Sequence, residues 1–208
     1  MTAIKNIMHT SPVIPVMVIN NLEQAVPLAK ALVSGELKVL EITLRTAVAL
    51  EAIKQIKAEV PGAIVGAGTV INQQTLQQAI AAGSEFLVSP GATDGLIAAA
   101  LDAGIPILPG VISPSEVMKL LEKGLTDMKF FPAEAAGGVA MLKSIGGPLP
   151  QVTFCPTGGV NPENAKAYLS LANVACVGGS WMAPASLVDA GKWDEITRRA
   201  AKAANINN

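Results

Sequence analysis

The chain has 208 residues, 50% of them hydrophobic and only 15% charged, with a formal net charge of −1. That balance, with no basic or acidic block, excludes nucleic acid and membrane surfaces as expected partners. No apolar run reaches the roughly 18 residues that a spanning helix needs, so the apolar excess belongs in a large core or between subunits.

In chain order, residues 4–9 suggest a short extra helix, and residues 13–19 follow as a β-rich run. Pro12 and Pro15 interrupt that run and no small-residue cleavage site follows, so no signal peptide is expected. A helix-then-strand unit then recurs. Gly35, Gly62, Gly83, Gly104 and Gly124 each close an Ala- or Leu-rich segment and precede a β-rich run, at intervals of 20 to 27 residues. Strands are predicted at 13–19, 37–43, 63–67, 85–89, 105–109, 127–131, 151–155 and 173–177. Helices are predicted at 22–33, 47–58, 75–82, 96–103, 115–122, 139–145, 163–169 and 193–203, all rich in good helix formers. Ser113-Pro114 and Asn161-Pro162 each place a capping residue before proline at the first helical position. Pro27 sits awkwardly in the first helix, which must either begin later or kink.

Eight strands, each followed by a helical pattern, imply parallel neighbours joined by crossover helices. With no Pro/Gly/Ser linker, one domain over residues 1–208 is expected. A doubly wound sheet would want a glycine-rich turn after its first strand, where this chain has Asn20-Asn21-Leu22. The expected fold is therefore an α/β TIM (β/α)8 barrel, with its chemistry at the C-terminal ends of the strands.

Unusual residues collect at those ends. In the stretch 40–46, Glu41, Thr43 and Arg45 alternate with Leu40, Ile42 and Leu44, so a carboxylate and a guanidinium point the same way, inward. A structural ion pair filling a barrel layer is the plainer alternative. Gly66-Ala67-Gly68-Thr69 leaves room for close approach and offers a hydroxyl at the rim, although a tight turn with a helix cap explains it as well. Pro90, Pro109, Pro132 and Pro156 stiffen the rims of four strands. The pairs Gly158-Gly159 and Gly178-Gly179, with a helix start expected after Asn161, suit a phosphate held by backbone N–H groups, or are simply flexible turns.

One lysine stands in an apolar strand. Alternation sends Asp127, Lys129 and Phe131 to one face and Met128 and Phe130 to the other. Burial disfavours a charged amine, and an uncharged amine attacks a ketone. The other outcomes are a lysine that snorkels to the rim or pairs with Asp127. With a single histidine, His9, and two cysteines, Cys155 and Cys176, no histidine or thiolate cluster is available for a metal, and the thiols fit a reducing cytoplasm.

The segments 41–46, 66–70, 89–91, 129–134 and 154–159 together resemble the signature segments of 2-keto-3-deoxy-6-phosphogluconate (KDPG) aldolase, a family that also cleaves 4-hydroxy-2-oxoglutarate (KHG). They resemble the phosphogalactonate aldolases less closely. The resemblance runs in register from about Val13 to Trp181 and implies a class I aldolase on a TIM barrel, usually a trimer, needing no metal or cofactor. On this resemblance Lys129 is the Schiff-base lysine and Glu41 the proton-transfer group. Arg45 and Thr69 hold the substrate carboxylate, Gly159, Gly179 and Ser180 line the phosphate site, and Pro90, Phe131, Thr157 and Gly158 shape the pocket. The implied partner is a small phosphorylated keto acid. Two other classes stay open on the residues alone. A metal-dependent lyase would have few ligands beyond Glu41 and Glu134, and a non-catalytic phosphate-binding barrel would have no use for a buried amine. Glu134 has no assigned role beyond bracing a loop.

Overall fold

A computed structural model of the chain describes residues 3–206; the ends of the expected 1–208 domain, residues 1–2 and 207–208, lie outside them. Helices and parallel strands alternate through a single α/β domain. Helix α1 (Ala3–Met8) precedes β1 (Val13–Met17), and a 3-10 turn at Leu22–Gln24 leads into α2 (Ala25–Ser34). There follow β2 (Val39–Thr43), α3 (Ala49–Glu59), β3 (Ile64–Gly68), α4 (Gln73–Ala81), β4 (Phe86–Val88) and α5 (Asp94–Asp102). The expected fifth strand is two short ones, β5 (Ile107–Leu108) and β6 (Gly110–Val111), divided at Pro109, which has no N–H to give to a ladder. The chain continues with α6 (Pro114–Leu121), β7 (Asp127–Phe130), α7 (Gly138–Gly146), β8 (Thr153–Pro156), α8 (Ala165–Leu169), β9 (Val177–Gly179), α9 (Ala185–Asp189) and α10 (Trp193–Ala204).

Six strands form a curled parallel sheet in the order β5-β4-β3-β2-β1-β9, and three more form a parallel sheet in the order β6-β7-β8. Isolated parallel bridges, Phe154 with Val174 and Thr157 with Gly178, connect β8 and the residue after it to β9 and the run before it. At the other side only Pro109 separates β5 from β6. No helix among the described residues is long and apolar enough to cross a membrane.

The sheet has two different faces. On the helix side, Val13, Leu40, Ile42, Leu87, Met128, Phe130 and Phe154 join the large core cluster with α2, α3 and the other helices. The residues of opposite parity form a second cluster of Ile14, Val39, Phe86, Val88, Leu108, Cys155 and Cys176, to which α1 contributes Ile4 and Met8. That apolar layer occupies the N-terminal half of the strands, and polar residues of the same parity follow one step further along them. Gly66 belongs to the layer by subtraction, because a Cβ there would stand 2.4 Å from the Phe86 ring.

Local chemistry explains most boundaries. Pro27 is the third residue of α2, where a backbone N–H has no intrahelical acceptor, so the helix begins later than expected and needs no kink. Ser113 and Glu116 form the reciprocal capping box that starts α6 behind Pro114. The start signal at Asn161-Pro162 misleads. Asn161 Oδ1 accepts from the backbone N–H groups of Glu163 and Asn164 at 3.0 and 3.1 Å, which stabilises a turn, and α8 begins only at Ala165.

Candidate active site

The polar half of the interior opens into a cavity of about 340 Å³ at the C-terminal ends of the strands. All eleven residues expected from the sequence line it: Glu41, Arg45, Thr69, Pro90, Lys129, Phe131, Thr157, Gly158, Gly159, Gly179 and Ser180. Val16, Thr43, Val160 and Gly178 complete the wall. Alternation marks two of these, since Val16 has the parity of Ile14 and Thr43 that of Glu41, but neither carries chemistry that would single it out.

Lys129 and Glu41 form the centre. They come from strands on different sheets, 88 positions apart, and meet at 3.2 Å between Nζ and Oε1 with side chains only 7% and 4% exposed. The lysine therefore neither snorkels nor pairs with Asp127, whose Oδ2 accepts from the Thr126 hydroxyl. Burying an ion pair costs desolvation that its attraction barely repays, so a brace is poor justification for one. A carboxylate touching an amine can instead take its proton and return it. The Phe131 ring lies 5.4 Å from Nζ and closes one side of the amine. Thr43 fixes the strand beside Glu41 by donating its hydroxyl to the Met17 carbonyl at 2.8 Å.

Glu41 lies where only glycine permits. A Cβ on Gly68 would stand 2.3 Å from Glu41 Oε1 and 2.7 Å from its Cγ, so the bare backbone of β3 sets the depth of the carboxylate. The next residue, Thr69, has φ 62, a left-handed conformation that costs a non-glycine residue energy and that clusters at functional sites. Thr69 and the exposed Arg45, which follow the neighbouring strands β3 and β2, both line the cavity mouth.

The far end is a backbone surface. Gly158 and Gly159 have φ of 100 and 81, a pair of left-handed residues that turns consecutive peptides. Among the described residues no acceptor takes the N–H of Gly159, Val160 or Ser180, and all three line the cavity. Unpartnered backbone donors around a concavity suit an anion. A Cβ on Gly178 would meet Thr157 Oγ1 at 2.3 Å, and one on Gly179 would enter the Trp181 ring, so both glycines are required by neighbouring side chains. The helix dipole expected to assist here is weaker than foreseen, since a turn intervenes before the five-residue α8. No group of three or more His, Cys, Asp or Glu residues that could hold a metal comes together among the described residues.

A site of this composition, a buried amine on a carboxylate at one end and free amides at the other, fits a ketone carrying a distant anion. Comparison with known proteins agrees. Residues 4–199 match the family model described as "Aldolase: KDPG and KHG aldolase". The KHG/KDPG aldolase of Escherichia coli strain K12 is 52% identical over 202 residues, 97% of this chain and 95% of the relative. A crystal structure of KDPG aldolase from Legionella pneumophila, with pyruvate captured at low pH as a covalent carbinolamine intermediate, superposes with a TM-score of 0.95 at 48% identity, covering 98% of each chain. The 2-keto-3-deoxy-6-phosphogluconate aldolase of Zymomonas mobilis ZM4 with 3-phosphoglycerate gives a TM-score of 0.94 at 50% identity over 98% of this chain and 96% of the other. The chain belongs to the KDPG and KHG aldolase family.

Proposed function

We propose that the chain is a class I aldolase, a lyase that splits KDPG into pyruvate and glyceraldehyde 3-phosphate, with Lys129 as nucleophile and Glu41 as proton carrier. The observation that carries this reading is the buried 3.2 Å contact between Lys129 Nζ and Glu41 Oε1 at the floor of a cavity with free amides at its rim. The relative that holds pyruvate as a carbinolamine supports it, because that adduct is the first product of amine addition to a keto acid.

Glu41 takes a proton from the Lys129 ammonium, and the free amine adds to the C2 ketone to give a carbinolamine. Protonation of its hydroxyl through Glu41 expels water and leaves an iminium. Glu41, directly or through one water, then removes the C4 hydroxyl proton. The C3–C4 bond breaks, its electron pair flows to the iminium nitrogen as an enamine forms, and glyceraldehyde 3-phosphate departs. The same carboxyl group returns the proton to C3, and water hydrolyses the resulting iminium to pyruvate and Lys129. Arg45 suits the substrate carboxylate because its planar fork engages both oxygens, with the Thr69 hydroxyl beside it. Gly159, Gly179 and Ser180 take the phosphate, and Pro90, Phe131, Thr157 and Gly158 shape the passage between the two ends.

KHG has the same keto-acid end and passes through the same pyruvyl enamine, so we include it as a second substrate that releases glyoxylate. The two sheets are read as one closed (β/α)8 barrel spanning the chain as a single domain, with β5 and β6 as halves of one strand. The bridge from Thr157 to Gly178 supports closure on one side, and the single residue between β5 and β6 supports it on the other. A cytoplasmic homotrimer completes the reading. Ile71, Ile112 and Met118, which lie after β3, after β6 and on α6, are 54%, 41% and 54% exposed and are the apolar side chains we assign to the subunit interface. Pyruvate release measured with KDPG, its phosphogalactonate epimer and KHG tests the substrate assignment. KDPG is expected to give the highest kcat/KM, and a higher value with the epimer would overturn it.

A further inference from the structure

Glu134 and Tyr168 play no part in the cycle above, yet they form a hydrogen bond next to the glycine loop that lines the cavity. Tyr168, on α8, is fully buried and donates its hydroxyl to Glu134 Oε1. Burial, and then the hydrogen bond to Glu134, raise the Tyr168 hydroxyl well above its ordinary pKa, so it remains a donor at any physiological pH. Glu134 presents its carboxylate to Tyr168 and its methylenes to the glycine loop. A Cβ on Gly159 would stand 2.6 and 2.7 Å from the Cγ and Cβ of Glu134.

The same neighbourhood holds the loop's carbonyls. Ala133 N–H donates to the Thr157 carbonyl at 2.8 Å, Glu134 N–H to the Gly158 carbonyl at 3.0 Å, and Asn164 Nδ2 to the Gly159 carbonyl at 3.1 Å. Three consecutive carbonyls are thus engaged by fixed donors, while the N–H groups of Gly159 and Val160 are left for the cavity. Two successive left-handed glycines have broad conformational freedom, and nothing in their own side chains chooses this arrangement. What selects it is the wall they lie against, and that wall stands where the Tyr168 hydroxyl holds the Glu134 side chain.

We propose that Glu134 and Tyr168 are positioning residues for the phosphate end of the substrate, setting how well a phosphorylated substrate is held without touching it. This rests on the reading of the glycine loop as the phosphate site. The pair fixes a loop more than it contributes charge. Only one oxygen of Glu134 is used to accept from Tyr168, so an amide in its place keeps the essential bond.

The test compares Tyr168→Phe, Glu134→Ala and Glu134→Gln with the parent enzyme in three measurements. These are KM and kcat for KDPG, inhibition by inorganic phosphate, and the pyruvate concentration that half-saturates trapping by borohydride. Tyr168→Phe and Glu134→Ala are expected to raise KM for KDPG and weaken phosphate inhibition by about tenfold, the scale of one hydrogen bond. In both variants kcat and the pyruvate concentration stay within about twofold of the parent, and Glu134→Gln restores the parent values. Folding of Tyr168→Phe is secured by its unchanged ring. Equal losses in all three measurements, or no loss in any, overturn the proposal. If inorganic phosphate fails to compete with KDPG in the parent enzyme and Ser180→Ala leaves KM unchanged, the phosphate-site reading itself falls and the proposal falls with it. Phosphate that competes in the parent and competes equally well in Tyr168→Phe sinks the positioning role alone.

Discussion

At the scale of single residues, the site depends on one amine and one carboxylate whose positions are set by what surrounds them. Period-two alternation places Lys129 and Glu41 on the interior face, and that much is legible in the sequence. Their meeting is not, because residues 88 positions apart are brought together by strand order and no local signal encodes it. Nor does the sequence tell what Gly68 does, since glycine in a strand reads equally as a bulge, a turn or a cleared space. The structure assigns it to the last. Gly68→Ala is expected to push the Glu41 carboxylate off the lysine and lower kcat on the order of 100-fold, the cost of a misplacement of about 1 Å. Steady-state kinetics check this; an unchanged kcat would mean that Glu41 finds another place. Glu41→Gln keeps the side-chain shape and loses the proton carrier. Its kcat should fall about 10²- to 10⁴-fold while the pyruvate adduct still forms on borohydride reduction, and equal loss of turnover and adduct would contradict the assigned role.

At the scale of elements, short-range chemistry was readable where it acts within one turn and misleading where a neighbour competes. Ser113-Pro114 marks the start of α6 correctly because Glu116 completes the box from within the same helix. Burial pushes the Glu116 carboxyl up, but the hydrogen bonds from Ile112 N–H, the Ser113 hydroxyl and Ser113 N–H outweigh it and hold the group below its ordinary value. A lowered folded-state pKa contributes stability above the unfolded-state value and loses it as pH falls through the folded one. Ser113→Ala should therefore cost about 1 kcal/mol at neutral pH. The difference should shrink as acid protonates Glu116, measured by urea denaturation at neutral and acid pH. A difference that grows in acid would refute the cap. Asn161-Pro162 resembles the same signal, yet Asn164 occupies the opposite side of the turn, with its Oδ1 accepting from Asn161 N–H at 2.8 Å and its Nδ2 donating to Gly159. Gly35 offers a third kind of case. It closes α2 as expected, but with φ −89; the left-handed residue is Glu36, at φ 69. Gly35 is small for a tertiary reason, since a Cβ there would lie 2.4 Å from the Cβ of Ala200 on α10.

At the scale of the molecule, the interior is built in two layers of one parity, apolar at the N-terminal ends of the strands and polar at the C-terminal ends. The repeated helix-strand unit made this architecture readable, because a parallel sheet buried on both faces needs near-continuous apolar strands and the chain supplies them. The split at Pro109 and the short α9 were not readable, the first because one proline divides a strand without ending it, the second because five residues carry too little pattern. The apolar layer is what the proposed catalytic pair stands on. Phe86→Ala should destabilise the fold by about 3–5 kcal/mol in chemical denaturation, and a loss under about 1 kcal/mol would show that α1 and its neighbours refill the space. Met118→Lys should dissociate the proposed trimer in sedimentation experiments, whereas an unchanged mass would place the interface elsewhere. The central claim, however, is that one amine does the chemistry. Incubating the enzyme with pyruvate and borohydride, then mapping the modified peptide by mass spectrometry, addresses it most directly. The expected result is a single irreversible adduct on Lys129 that appears as activity is lost; an adduct on any other lysine, or none, would contradict it.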